Sequence, residues 1–209
     1  MDTRLELHRQ LVHLSGFLFV ILAQFTGSFL AGFYFLIIAF TLFLYSEFVR
    51  RQQKVLWGLV DRFEEKFREF AVKLERKEVY RPFAGAIWFY FGCGLAFLLF
   101  PLNIASAACI MLSIGDALST LAGIKFGKHK ILKNKSVEGS ATLFITSLII
   151  SQFFVPLNLA IIGSLTATFV ELIPDMPSLK QLKKKSLVDD NYLIPLISGL
   201  VMFMIQIFI

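Results

Sequence analysis

The stretch Ile114–Ser140, IGDALSTLAGIKFGKHKILKNKSVEGS, places charged residues between two apolar segments of the chain. Asp116 lies inside the first segment, five lysines follow between residues 125 and 135, and Glu138 stands just before the second segment. Ionisable groups at membrane depth are costly, so they mark candidate functional sites. A carboxylate near clustered lysines suits a ligand that combines a metal ion with phosphates.

The rest of the chain is organised by apolar segments, and 56% of its 209 residues are hydrophobic. The segments cover residues 11–28, 30–48, 84–101, 103–124, 140–156, 158–174 and 190–209. Each has about 20 residues, enough to cross a bilayer. The sequence therefore predicts an all-α polytopic membrane protein, with about seven transmembrane helices in one domain over residues 1–209.

Positive charge alternates strictly along the connections between these segments. Residues 1–10, 50–82, 125–138 and 175–189 hold all 21 Lys and Arg, whereas the intervening short turns hold none. By the positive-inside rule, the N-terminus and every candidate polar site face the cytoplasm, and the C-terminus lies on the far side. Membrane topology accounts for the net charge of +6, and no nucleic-acid partner is expected.

Residues 50–81 form the long polar connection. Apolar residues recur there at intervals of three and four from Leu56 to Leu74, and residues 50–81 as a whole hold ten basic and six acidic residues. This pattern predicts an amphipathic helix that lies on the cytoplasmic membrane surface or packs on the bundle.

Small residues at a spacing of four follow the acid of the opening stretch: Gly115, Ser119, Gly123 and Gly127. They form a narrow stripe on one helix face, which allows close helix packing. Asp116 is predicted to bind a metal or act in catalysis, with a structural, hydrogen-bonded acid as the alternative. Thr120 lies one turn further on and shares its polar surroundings.

The lysines divide into two groups. Lys125, Lys128 and Lys135 are best placed to bind phosphate, whereas Lys130 and Lys133 are expected to set topology and contact anionic lipids.

The start of the next segment completes this candidate phosphate site. Ser136 is predicted to cap the helix, whose free N–H groups favour anions. Gly139 allows a ligand to approach the backbone before Ser140. Glu138 suits the helix dipole and is also a candidate metal ligand.

A third polar group opens the last segment. Asp189, Asp190 and Asn191 supply the oxygen ligands that suit Mg²⁺, and helix capping explains only one of them. Pro195 should free the carbonyl of Asn191 and bend the helix. Glu171 ends the preceding segment and either completes this group or pairs with a lysine.

His13, one turn into the first segment, is expected to contact a partner helix or a ligand and to support the site with Thr120 and Glu171. The sequence contains no G-x-x-x-x-G-K-[ST] P-loop, no kinase-type glycine loop and no Cys/His zinc spacing. Any binding of nucleotide phosphates therefore uses an unrelated architecture.

Three blocks of this sequence resemble one known family. GDALSTLAGIKFGKHKILKNKSVEGS is similar to the GDxxAxxxGxxxG…K(S/T)xEGS pattern of CTP-dependent lipid kinases, which include dolichol, phytol and farnesol kinases and a CTP-dependent diacylglycerol kinase. ELIPDMP…VDDNYLIPLISG is similar to the E…(D)DNLxIPL segment of that family. ELHRQLVHLSG resembles the R-K-x-x-H-x-x-x-G start of phytol kinases. Gln10 and Tyr192 depart from these patterns, which leaves the lipid substrate open.

The resemblance implies transfer of the γ-phosphate of CTP to a membrane polyisoprenoid alcohol of the dolichol, polyprenol, phytol or geranylgeraniol type. The preference for CTP rests on the resemblance alone. Asp116 and Asp190 would be catalytic, and Asp116 could accept the hydroxyl proton. The metal set would be Asp116, Glu138, Asp189, Asp190 and Asn191. The nucleotide set would be Lys125, Lys128, Lys135, Ser136, Glu138, Gly139 and Ser140.

Three alternatives stay open. Diacylglycerol could be the acceptor, or the enzyme could be a lipid-phosphate cytidylyltransferase that releases pyrophosphate. A small-solute transporter would also carry acids and bent helices inside the membrane. However, the polar groups here gather on one side, and the sequence has no inverted repeat. The sequence leaves the oligomeric state open.

Overall fold

The computed structural model describes residues 3–51, 83–184 and 187–208, which are mostly helical. The first half contains α1 (Thr3–Thr26), α2 (Ser28–Arg50), α3 (Ala84–Leu99), α4 (Leu102–Ile110), a π-helical segment (Met111–Asp116) and α5 (Ala117–Phe126). The second half contains β1 (Lys130–Leu132), β2 (Lys135–Ser136), α6 (Val137–Ser151), α7 (Leu157–Leu172), the 3₁₀ turns Ile173–Asp175 and Pro177–Leu179, α8 (Lys180–Lys184) and α9 (Asp190–Phe208).

Four helical spans are long and apolar enough to cross a membrane: Ser28–Arg50, Leu102–Phe126, Leu157–Asp175 and Asp190–Phe208. Three shorter apolar helices cover His13–Thr26, Ala84–Leu99 and Val137–Ser151. Each predicted apolar segment thus coincides with a helix. That all seven cross the bilayer, and in which orientation, stays a prediction. The amphipathic helix predicted over 50–81 lies, from residue 52 onward, outside the described part of the chain.

The span Leu102–Phe126, here called the central helix, lies at the core of the bundle. The bundle buries 61% of this span, compared with 22–44% of the other three long spans. The helices α1, α3, α9, α7 and α6 pack on it, and α2 packs on α1 and α3. Small side chains in α4, including Ala105, Ala107 and Ala108, are fully buried and allow this close approach.

The small-residue stripe of the central helix packs on α6, as its spacing predicts. A methyl group added at Gly123 would lie 3.4 Å from the Ser136 hydroxyl, and one at Gly139 would lie 3.1 Å from the Ser119 carbonyl oxygen. The two backbones therefore approach closely at the start of α6.

A short antiparallel hairpin joins α5 to α6 and is a small β element within the predicted all-α bundle. Lys130 pairs with Ser136, and Leu132 pairs with Lys135. Strands of three and two residues are too short to show a period of two in the sequence. The hairpin turns Lys135 back toward the bundle.

The start of α9 lies tightly against α3. A methyl group added at Gly92 would lie 2.5 Å from the Cα of Tyr192 and 2.9 Å from the carbonyl oxygen of Asn191. Glycine at this position therefore allows the helix that begins at Asp190 to reach its place in the bundle.

Candidate functional site

One ammonium group links the three polar regions that the sequence singled out. The Nζ of Lys135, on β2, lies 2.9 Å from Oε1 of Glu171 at the end of α7. The same Nζ lies 3.5 Å from Oδ2 of Asp190 at the start of α9. The carboxylate of Asp116, on the central helix, is close enough to act electrostatically on Lys135. We call Asp116, Lys135, Glu171 and Asp190 the lysine–carboxylate cluster.

Glu171 is the most enclosed member of the cluster, with 1% of its surface exposed. Its Oε1 accepts hydrogen bonds from the Ser119 hydroxyl at 2.8 Å and from Lys135. Its Oε2 accepts a longer bond of 3.5 Å from the Ser140 hydroxyl. Through these hydrogen bonds, the Glu171 carboxylate connects α7 to the central helix, the hairpin and α6.

The charges of the cluster stabilise the protonated form of Lys135. Burial by itself lowers the pKa of this amine, but the carboxylates of Asp190, Glu171 and Asp116 raise it by more. The net result is a pKa above the ordinary lysine value, so the ammonium keeps its charge at neutral pH. Three carboxylates and one ammonium sum to a formal charge of −2, which suits a divalent cation.

Asp116 ends the π-helical segment Met111–Asp116 inside the central helix. Such segments are rare and occur frequently at functional sites, because they re-aim side chains within a continuous helix. Asp116 is 7% exposed. An acid so deep in an apolar bundle is costly, which supports its prediction as a site residue.

The three polar residues that open α9 take different positions. The Oδ1 of Asp189 accepts hydrogen bonds from the backbone N–H of Asn191 at 3.0 Å and from its side-chain amide at 2.7 Å. Asp189 therefore caps the helix, the role that sequence reasoning allowed for one of the three. Asp190 reaches Lys135. Asn191 is 6% exposed, and its Oδ1 accepts no hydrogen bond from the described residues.

The hairpin end of α6 confirms one prediction and gives Glu138 a specific partner. Ser136 caps α6, since its hydroxyl accepts a 3.2 Å bond from the Gly139 N–H. Glu138 accepts a bond from the backbone N–H of His129 at 3.2 Å, and its Oε1 lies 2.7 Å from the ring Nδ1. Backbone bonds, together with that His129 side-chain contact, lower the pKa of Glu138 to about 2. Metal binding by Glu138 stays a prediction.

Of the other predicted nucleotide ligands, Lys125 and Lys128 lie outside these contacts, whereas Gly139 and Ser140 take part in them. Lys125, in the last turn of α5, and Lys128, just beyond that helix, are exposed, and the Lys125 ammonium lies 5.2 Å from the centre of the Phe126 ring. Gly139 faces the central helix, so its open side is used by helix packing. Ser140 contacts Glu171. Their roles in nucleotide binding stay predictions.

The supporting residues are only partly brought together. His13 packs edge-on against Phe89 of α3, with 5.2 Å between the ring centres, and Thr120 is half-buried on α5. Sequence reasoning missed the contribution of Ser119, which it assigned to packing alone. The available signal was its position three residues after Asp116, on a neighbouring face of the same helix.

The donor set fits Mg²⁺ bound together with phosphate. Among the described residues, no three His, Cys, Asp or Glu side chains are grouped to enclose a metal by themselves. Mg²⁺ needs only one or two carboxylates when phosphate oxygens and water complete its shell. Asp190 and the next residue along the chain, Asn191, whose buried Oδ1 accepts no hydrogen bond from the described residues, are the candidate oxygen donors of this kind.

Comparison with known proteins gives one full-length relative. An uncharacterized protein of Rickettsia prowazekii (strain Madrid E) is 29% identical over 203 residues, which cover 93% of this chain and 92% of that protein. No protein-family model matches the chain, and no solved structure matches it. The similarity to this relative runs over nearly the whole chain, and the relative's name assigns no activity.

Proposed function

We propose that this protein is a CTP-dependent lipid kinase. It transfers the γ-phosphate of CTP to the hydroxyl of a membrane polyisoprenoid alcohol of the dolichol, polyprenol, phytol or geranylgeraniol type. The observation that carries the proposal is the lysine–carboxylate cluster. Its members come from two of the three sequence blocks that resemble the family, and Lys135 lies within 3.5 Å of both Glu171 and Asp190.

The proposed roles follow from what phosphoryl transfer needs. The reaction depends mainly on positioning the phosphate and neutralising its charge. Lys135 neutralises phosphate oxygens, with Lys125 and Lys128 at the outer end of the site. Asp190 and Asn191 would hold Mg²⁺, which supplies further charge neutralisation when bound. Asp116 accepts the proton of the acceptor hydroxyl.

The acceptor is proposed to reach this site from the membrane. Four helices are long and apolar enough to span a bilayer, so an isoprenoid tail can stay in hydrocarbon beside them. Its hydroxyl then meets the basic end of the bundle. The distribution of lysines and arginines supports a multi-pass protein whose site faces the cytoplasm, where nucleotides are available.

The choice of CTP is the part of the proposal that depends on the family resemblance. The cluster chemistry suits any nucleoside triphosphate with Mg²⁺. The three matching blocks, rather than a geometric feature, favour cytidine over adenosine.

A donor-and-acceptor panel with the purified full-length protein in lipid nanodiscs tests the proposal. CTP and ATP labelled at the γ-phosphate are each offered with polyprenol, dolichol, phytol and diacylglycerol, and the lipid fraction is counted. We expect label from CTP in an isoprenoid alcohol, at a rate that depends on Mg²⁺. Transfer to diacylglycerol alone would reassign the acceptor.

A parallel reaction with α-labelled CTP and a lipid phosphate separates the rival chemistries. Incorporation of the α-label with release of pyrophosphate would identify a cytidylyltransferase. Absence of lipid label from every donor would contradict the kinase proposal. Lys133→Met, at the exposed hairpin turn, is the matched control for Lys135→Met and should keep the wild-type rate.

A further inference from the structure

Glu171 and Asp190 contact the same lysine from environments of different exposure. The Glu171 side chain is 2% exposed and lies 2.9 Å from Nζ, whereas the Asp190 side chain is 23% exposed and lies 3.5 Å away. The shorter contact is therefore on the protein side of Lys135, and the longer one is on the open side. This asymmetry assigns different tasks to the two acids.

The oxygens of Glu171 are already engaged by protein groups. Oε1 accepts from Ser119 and Lys135, and Oε2 faces the Ser140 hydroxyl. A buried carboxylate is stable only when such bonds replace water. A metal at Glu171 would have to replace these contacts, whereas binding phosphate at Lys135 leaves them in place.

A lysine in a phosphate site benefits from an anchor of this kind. Its four-carbon chain is flexible, and fixing it costs rotamer entropy. The anchoring acid lies on α7, and its Ser119 contact comes from the buried central helix. Both elements are more buried in the bundle than the hairpin that carries Lys135.

We infer that Glu171 is a positioning residue, which holds the ammonium of Lys135 toward the phosphate and does not bind the metal. This inference rests on the proposed function for the identity of the ligand. Glu171 acts through Lys135, and Ser119 orients Glu171. Asp190 lies on the more exposed side of the lysine, where it would contact the bound ligand.

Lysine labelling in the full-length protein tests the anchor without any enzyme assay. The protein in nanodiscs is exposed to an amine-acetylating reagent, and the modification of each lysine is followed by mass spectrometry. Loss of a charge-assisted bond should raise the labelling rate of Lys135 in Glu171→Gln by about fivefold or more. Asp190→Asn should raise it less, because its contact is longer.

The matched control lies one helical turn beyond Glu171. Asp175 Oδ1 accepts a 2.7 Å bond from Lys183 and a longer, 3.4 Å bond from Asn134 of the hairpin. Asp175→Asn keeps an acceptor oxygen for Asn134, so it should release Lys183 and leave Lys135 unchanged. Equal or greater release of Lys135 by Asp190→Asn, or no release by Glu171→Gln, overturns the anchor. If Glu171→Gln does not fold, Ser119→Ala replaces it, because it removes one hydrogen bond to the same Glu171 oxygen. Ser119→Ala should raise Lys135 labelling by about twofold. An unchanged labelling rate in this variant would also overturn the anchor.

Kinetics separate positioning from metal binding. In Glu171→Gln, the KM for nucleotide should rise about tenfold, with a smaller change in kcat and an unchanged Mg²⁺ concentration for half-maximal rate. A raised Mg²⁺ requirement would instead make Glu171 a metal ligand and overturn the inference. If the wild type transfers no phosphate, the proposed function fails, and the labelling result alone decides whether Glu171 anchors Lys135.

Discussion

Two acid–base pairs flank the same hairpin, and their contact distances are nearly equal. Lys135 and Glu171 are 2.9 Å apart, and His129 and Glu138 are 2.7 Å apart. Their side chains differ in exposure, at 14% and 2% for the first pair and 78% and 26% for the second. Contact distance therefore does not distinguish the exposed pair of His129 and Glu138, here called the surface pair, from the buried pair of Lys135 and Glu171. The exposed fraction of the side chains does distinguish them.

The difference follows from where each residue stands along the chain. His129 precedes β1 at the outer end of the connection, and its partner lies in the first turn of α6. Lys135 stands on β2 immediately before the α6 cap, where the chain turns into the bundle. Only the second of these positions brings a lysine to the end of α7, the start of α9 and the acid in the middle of the central helix.

The largest expected effect is on catalysis at the buried cluster. Asp190→Asn and Asp116→Asn should each lower phosphate transfer by about 100-fold or more, because charge-stabilising groups act strongly in a dry site. The measurement is γ-label incorporated into lipid. Asp175→Asn, which alters a lysine pair one turn from Glu171, should stay within about threefold of wild type. Equal losses in all three variants would contradict a specific role for the cluster.

The second largest expected effect is on the free energy of unfolding, which should depend more on the pair of Lys135 and Glu171 than on the pair of His129 and Glu138. Lys135→Met leaves Glu171 buried without its cation and should lower the free energy of unfolding by about 3 kcal/mol. Adding Glu171→Leu should recover part of this loss, because the unpaired charge is then removed. His129→Ala should cost less than about 1 kcal/mol. Thermal melting in detergent checks the order, which fails if the double variant is the least stable.

A backbone contact sets the position of the helix that carries Asp190. Gly92→Ala would press a methyl group on the backbone of Tyr192, so it should cost about 1–3 kcal/mol and reduce activity. Gly85→Ala on the same helix is the matched control, since its nearest neighbour, Asn191 Nδ2, lies at 3.7 Å. Similar melting temperatures for the two variants would show that α9 does not depend on this approach.

The smallest expected effect is a loss of stability at acid pH that depends on Glu138 of the surface pair. The pKa of Glu138 is about 2 in the folded protein and 4.5 in its ordinary state. Because the folded value is depressed, the stabilisation is present above pH 4.5 and is lost as the pH falls toward 2. Glu138→Gln should reduce the pH dependence of melting in this window. An unchanged profile would mean that the hydrogen bonds of Glu138, to backbone N–H groups and to the His129 ring, add no measurable stability.

The sequence predicted the helices well because long apolar runs leave few alternatives. The predicted segments 103–124 and 190–209 coincide with the spans Leu102–Phe126 and Asp190–Phe208. The stripe that includes Gly123 packs as its spacing predicted, and Ser136 caps α6.

The contacts within the site were harder to predict because they join distant residues. Glu171 was expected to complete the metal group or to pair with a lysine, but the partner is 36 residues away and depends on the hairpin and on helix register. Ser119 has two roles, packing and hydrogen bonding, and the spacing indicates only the first. Glu138 and His129 pair because the hairpin brings them together. The hairpin itself has only five strand residues, too few to be predicted from a sequence pattern.

The most direct test of the account is transfer of γ-label from CTP to polyprenol by the purified wild type, compared with Lys135→Met and Lys133→Met in identical nanodiscs. We predict labelled polyprenol phosphate with the wild type and Lys133→Met, and a loss of about 100-fold with Lys135→Met. Lys135→Met that folds and transfers phosphate at the wild-type rate would contradict the central role of the lysine–carboxylate cluster.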